Sequence, residues 1–235
     1  MRKWQEVFPE IDRQIYAKAG LNRREEFGRR PAVLIIDVVE SFTGSRPENV
    51  LQSIEEYSTS CGEAAWKALT SIKSLIDASR DAGVPVVYTK GDATNKYHCG
   101  DSTKGLIGEE ILRVHNTPIP AVIAPLANEY VLRKTKASAF FGTPLATYFH
   151  RLGVDSLLVG GTSTSGCVRA SVTDAYSHGY TVFLVEECCF DRSEFSNLVN
   201  LFEMNAKYAN VITLAEALDH LKGQGGGAAE SEKCD

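Results

Sequence analysis

Six short runs of almost unbroken apolar, largely β-branched residues punctuate the chain: PAVLIID (31–37), VPVVYTK (84–90), EYVLRK (129–134), DSLLVGG (155–161), YTVFLVEE (180–187) and NVITL (210–214). A strand with one wet face alternates apolar and polar residues, whereas a strand covered on both faces needs no polar positions, and that arrangement belongs to parallel sheets. Helix-period segments separate the runs. Ser60–Ala82 carries Ala65, Leu69, Ile72, Leu75 and Ile76 at three- and four-residue spacing and stops at Gly83. Thr143–Arg151, with Pro144 suited to a first turn, ends before Gly153; Gly166–His178 ends at Gly179; Ser193–Tyr208 precedes the last run. Strand, helix, glycine, strand in this order predicts an α/β chain: a doubly wound three-layer α/β/α fold around a mostly parallel six-stranded sheet.

The chain has 235 residues, 43% hydrophobic and 23% charged, which is ordinary globular composition and one α/β domain's length. The expected organisation is an N-terminal arm over 1–30, a catalytic-size domain over 31–222 and a disordered Gly-rich tail over 223–235. The arm combines an amphipathic stretch, Trp4–Ala19, with the charged run NRREEFGRR. It lacks the apolar centre of a secretory signal, and no run approaches the roughly 18 apolar residues that cross a bilayer. A net charge of -5 offers no basic footprint, so no nucleic-acid or membrane partner is expected and a cytoplasmic location is. Cys61, Cys99, Cys167, Cys188, Cys189 and Cys234 form no CxxC pair and read as thiols, Cys188 and Cys189 as strand-end packing. The stretch Gly91–Pro125 has no clear period and reads as a long functional loop.

In open α/β sheets, ligands bind beyond the carboxyl ends of the strands. Asp37 ends the first run, Lys134 the third, and GGTSTSGC leads from the fourth into a helix, placing Cys167 in its first turn. Unpaired N–H groups and the positive end of the helix dipole favour a thiolate there and can hold an oxyanion. Asp37 is suited to take the thiol proton and Lys134 to hold the charges, making a nucleophile, base and electrostatic partner. Each has a plainer role open to it: Asp37 as a turn cap, Lys134 as a solvated cation, Cys167 as packing. Three such groups at one sheet rim favour a shared site. His98, Cys99 and His115 have no zinc-ligand spacing, and no metal is expected.

The segments DVVESF (37–42), KTKASAFFGT (134–143) and GGTSTSGCVRASVTDA (160–175) resemble the three signatures of the isochorismatase-like cysteine hydrolases. SAFFGT, TSGCVRAS, FDR (190–192) and NLFEMNAKYANV (200–211) are most similar to the branch of N-carbamoylsarcosine and maleamate amidases. The resemblance implies Asp37, Lys134 and Cys167 as the catalytic triad, with Lys136 a less well spaced rival for the lysine. It also implies a cis Thr162–Ser163 peptide and an oxyanion hole from the Ser163 and Cys167 N–H groups. Arg192 would grip a substrate carboxylate through its planar fork, or else pair with Asp191 or Glu194. Phe42, Phe140 and Thr162 are candidate substrate contacts, with Phe141 a further aromatic nearby.

Two departures narrow the activity. Residues 44–90 contain no His, so the Asp-x-His metal site of nicotinamidases is not expected, and Cys167 argues against enol-ether cleavage. The expected activity is ammonia release from a small linear amide or carbamoyl compound with a carboxylate, through a thioester and without a cofactor, in a homotetramer. A biuret- or ureidoacrylate-type carbamoyl hydrolase, or a thiol-sensing binding module without turnover, remains open.

Overall fold

The computed structural model describes residues 2–92 and 113–224. His98, Cys99, Cys234, most of the Gly91–Pro125 loop and nearly all of the tail lie outside the described residues.

All six predicted runs form strands: β1 (Pro31–Ile36), β2 (Val86–Gly91), β3 (Tyr130–Lys134), β4 (Ser156–Gly161), β5 (Thr181–Cys189) and β6 (Asn210–Ile212). They make one sheet in the order β3-β2-β1-β4-β5-β6, each pair parallel. The helices are α1 (Glu10–Lys18), α2 (Glu40–Thr43), α3 (Val50–Glu56), α4 (Glu63–Asp81), α5 (Leu145–Leu152), α6 (Arg169–Ser177), α7 (Glu194–Lys207) and α8 (Leu214–Gln224). The period-2 geometry of β1 divides its side chains between two cores. Ala32, Leu34 and Ile36 face a layer that includes Leu145 and Phe149 of α5, Val172 of α6 and Leu201 of α7. Val33 and Ile35 face Leu69, Ile72 and Ile76 of α4 and Leu221 of α8. Helices on both faces of a parallel sheet whose central strands β1 and β4 are buried throughout give the expected three layers.

The sheet reverses winding direction between β1 and β4, and the crevice at such a switch point is where ligands bind in this architecture. Gly161 is essential to the approach of those strands. Its φ is +125°, and a Cβ there would overlap the Ile36 carbonyl. The Thr162 N–H instead donates to that carbonyl at 2.9 Å.

The arm packs on the body. Trp4 is buried and its indole N–H donates to Glu186. Phe8 stacks on Phe202, and Phe27 on Phe183. Arg2 donates to the Val211 carbonyl, and Asn210 accepts from the Glu25 N–H, so the arm runs beside the outer strand β6 and covers a sheet edge.

Local details differ from the sequence expectations. Pro144 occupies the N-cap of α5 rather than its first turn. The helix expected from Gly166 begins as a π turn over Thr164–Val168 before α6 continues. Helices α2 and α3 were not anticipated, although Asn49 caps α3 by accepting from the Leu51 N–H at 2.9 Å.

Candidate active site

Asp37 follows β1 in a left-handed turn with φ +51°, a conformation that costs a non-glycine residue about 1–2 kcal/mol. The turn brings its carboxylate back over the sheet end. Oδ2 lies 2.7 Å from Lys134 Nζ, and Oδ1 accepts from the Thr89 hydroxyl at 2.7 Å. The Thr89 oxygen in turn accepts from the Asp37 N–H at 3.1 Å. Asp37 and Lys134 are each only 4% exposed. Two charges this deep persist because they face each other and are hydrogen bonded. Lys134 Nζ also donates to the Lys136 carbonyl at 3.0 Å, so Lys134 holds the ammonium of the site and Lys136 supports it through its backbone.

Cys167 sits in the π turn beyond β4, 7% exposed, with its sulfur in hydrogen-bonding reach of both Asp37 and Lys134. The three strand-end groups singled out in the sequence therefore converge. Burial pushes the Cys167 thiol up to about 12, Asp37 adds to the rise, and Lys134 only partly opposes it, against the thiolate-favouring influence of the helix terminus. For Lys134, burial works to lower the value, but Asp37 and Cys167 outweigh it and leave the ammonium above its ordinary range. The site thus sets the buried Cys167 thiol beside the Asp37–Lys134 ion pair.

The Thr162–Ser163 peptide is cis. In the π turn the Gly166 and Val168 amides both donate to the Ser163 carbonyl, at 2.8 and 3.2 Å, and the Cys167 amide between them does not. Such π turns recur at functional sites because they redirect backbone groups.

Three residues to which the sequence reading gave no role support the site, two of them holding this loop and one holding Asp37. Asp191, just past β5, accepts from the Ser165 N–H at 2.9 Å and the Ser165 hydroxyl at 2.7 Å. A register slip between Val159 and Gly161 brings Gly161 opposite Cys189, which carries the Phe190–Asp191 turn beside the nucleophile loop. Ser171 donates to the Cys167 carbonyl at 2.7 Å and accepts from the Ala139 N–H at 2.9 Å, fastening the loop after β3 to the nucleophile. Thr89 is the third. Each left a signal, a lone polar residue next to apolar sequence, but assigning it required knowing which strands are neighbours.

Among the described residues, Asp37, Val39, Phe42, Gly91, Val114, His115 and Lys134 enclose a cavity of about 20 Å³, on the order of one water. Phe42 thus lines a cavity together with Asp37 and Lys134. Phe140 does not: it is core, with its ring against Phe149, His178 and Tyr180, while Phe141 is 64% exposed. Thr162 is fully buried, and its hydroxyl lies 3.6 Å from Cys61 Sγ. Arg192 donates to the Thr59 carbonyl at 3.0 Å and lines a separate cleft with Cys61, Asp191 and Asn197. Its carboxylate-binding role is not visible in the cavity's described walls. The described cysteines Cys61, Cys167, Cys188 and Cys189 are free, and no metal-binding cluster of His, Cys, Asp and Glu occurs among the described residues. No helix among the described residues is long and apolar enough to cross a membrane.

Comparison with known proteins agrees with this architecture. Residues 31–216 match the isochorismatase domain family. The chain is similar to maleamate amidohydrolase of Pseudomonas putida, with 35% identity over 85% of this chain and 91% of that protein. It is also similar to N-carbamoylsarcosine amidase of an Arthrobacter species, with 30% identity over 90% of this chain and 79% of the relative. The solved structure of an isochorismatase family protein from Desulfovibrio vulgaris superposes with a TM-score of 0.67 and 28% identity, covering 83% of this chain and all of that one. With its domain matched almost from end to end, the chain belongs to the isochorismatase family.

Proposed function

We propose that the chain is a cysteine-dependent amidohydrolase that releases ammonia from a small linear amide or carbamoyl compound bearing a carboxylate, of the maleamate or N-carbamoylsarcosine type. The observation that carries this is the buried Asp37–Lys134 pair, 2.7 Å apart, with the Cys167 side chain in hydrogen-bonding reach at the sheet's switch point. The similarity to two amidases supports the substrate class.

Asp37 takes the thiol proton as Cys167 Sγ adds to the amide carbon. The carbonyl oxygen becomes an oxyanion held by the Ser163 and Cys167 N–H groups; removing one such donor typically costs about 3 kcal/mol, roughly a hundredfold in rate. Collapse breaks the C–N bond, and the nitrogen leaves as ammonia with the proton from Asp37. Water then adds to the thioester, giving its proton to Asp37, and the acid product departs as Asp37 returns the proton to sulfur. Lys134 faces Asp37 at 2.7 Å and balances its charge between these transfers. No step calls on a cofactor. The family resemblance supports a cytoplasmic homotetramer as the working form.

Ammonia release from a panel of short amides tests this. Cys167→Ala should abolish it and Cys167→Ser nearly so, both variants keeping the fold. Wild-type turnover in Cys167→Ala would refute the mechanism and favour a thiol-sensing module. A second substrate reading, a carbamoyl compound of the biuret or ureidoacrylate type, draws on one observation: the Arg192 guanidinium is engaged by the Thr59 carbonyl in a cleft apart from the cavity at Asp37 and Lys134. Comparing carboxylated with neutral amides separates the two substrate readings.

A further inference from the structure

We propose that the cavity between the N-terminal arm and the outer strand β6 binds a phosphoryl group, the anionic end of a small phosphate ester. The proposal is independent of the amidohydrolase reading, because this cavity shares no wall residue with the one at Asp37 and Lys134. Its volume is about 460 Å³, within the range of small-molecule sites. Arg2, Arg13, Arg23 and Arg24 are among its walls, and among the described residues no Asp or Glu is. In a chain with a formal net charge of -5, that concentration of guanidinium groups is local and not a property of the whole surface.

The fold builds the cluster from separate elements. Arg2, Arg23 and Arg24 come from irregular parts of the arm and Arg13 from α1, while Asn205 of α7 and Val211 of β6 form the facing wall. Asn22 turns the chain just before Arg23 and Arg24 with φ +68°, a left-handed conformation that Asn tolerates. Its Oδ1 accepts from Asn205 Nδ2 at 3.1 Å, fixing that turn to α7. Acidic residues outside the wall hold three of the guanidinium groups. Arg2 and Arg24 each reach Glu216 at 2.8 Å, Arg2 lies 3.7 Å from Glu186, and Arg13 reaches Glu10 at 2.6 Å. Arg2 and Arg24 thus share the Glu216 carboxylate, and Arg23 has no acidic partner among the described residues. A carboxylate offers two oxygens and one charge, which a single Arg fork satisfies. A phosphate ester offers three terminal oxygens and nearly two charges at neutral pH, which suits several forks at once. Phe202 and Val211, also in the wall, give the organic part of the ester an apolar contact.

Phenyl phosphate, a phosphate ester with an apolar body, is the probe. Titration calorimetry of the full chain at neutral pH and low salt should show millimolar or tighter binding to the wild type. In Arg23→Gln the affinity should fall about tenfold or more, as for a lost hydrogen bond to a charged group. Arg23→Gln breaks no ion pair of the described residues, so its melting temperature without ligand should match the wild type. Lys222→Gln removes a cation elsewhere on the surface, paired with Asp219 at 2.8 Å, and should bind as the wild type does. Inorganic phosphate should displace phenyl phosphate. Weaker binding of inorganic phosphate than of the ester identifies the ligand as an organic phosphate; equal binding identifies it as free phosphate, and both uphold the site. No millimolar binding of either probe, full affinity in Arg23→Gln, or an equal loss in Lys222→Gln would overturn the proposal. A crystal structure with phenyl phosphate decides without any variant: phosphoryl oxygens on Arg23 and Arg24 support it, and a phosphoryl group bound only at Cys167 or Arg192 ends it.

Discussion

Asp37 carries the largest demand in the proposed mechanism, because it takes the proton of a thiol that burial holds up at about 12. Its two oxygens divide the work, one facing Lys134 and the other accepting from Thr89. Thr89→Val keeps the shape and removes that second bond. A hydrogen bond to a charged group is worth about 1.5–3 kcal/mol, so kcat should fall roughly ten- to a hundredfold while the protein stays folded. Unchanged kcat in a folded Thr89→Val protein would remove Thr89 from the account. Legibility at this scale was uneven. Asp37, Lys134 and Cys167 stood out because reactive groups at strand ends are conspicuous, and the family resemblance supplied the roles proposed for them. Thr89 did not, because its partner lies 52 positions away. The surroundings of Cys167 were only half legible: the helix N-terminus that favours a thiolate showed in the sequence, whereas the burial beside a carboxylate that opposes it did not.

Strands were the most readable elements, since unbroken β-branched runs between glycines leave few alternatives. Their order was not written in any one run, and everything that depends on order stayed hidden. The π turn at Thr164–Val168 is one example, because it forms where the Phe190–Asp191 turn grips the loop through the Thr164 amide and through Ser165. Asp191 is accordingly a positioning residue for the nucleophile. In Asp191→Ala the Ser165 N–H and hydroxyl lose their acceptor, and kcat should drop about tenfold or more, with slower alkylation of Cys167 by iodoacetamide. Normal kcat and normal alkylation would show that the loop holds its shape unaided. Helices α2 and α3 escaped notice for a different reason: four and seven residues are too few for a period to emerge.

The whole molecule depends on its arm more than the sequence suggested. Trp4, Phe8 and Phe27 fill the body's surface, and Arg2 and Arg24 both pair with Glu216 at 2.8 Å. Burial pulls Glu216 upward, but the Thr213 amide and hydroxyl, Arg24 and Arg2 prevail and hold its carboxyl at about 2. A carboxyl depressed on folding adds stability above its ordinary value of 4.5 and loses it as pH falls towards 2. The melting temperature should therefore decline with acid across that window, less steeply in Glu216→Gln than in the wild type. Parallel curves would mean that the arm's anchor does not contribute to acid stability.

For the working protein, the decisive species is the acyl group on sulfur. Wild-type protein quenched with acid during turnover of maleamate, digested and examined by mass spectrometry, should carry the acyl adduct on the peptide containing Cys167 and on no other. Sustained ammonia release with that peptide unmodified, at time points when substrate is still in excess, would contradict the thioester route and with it the role given to Cys167.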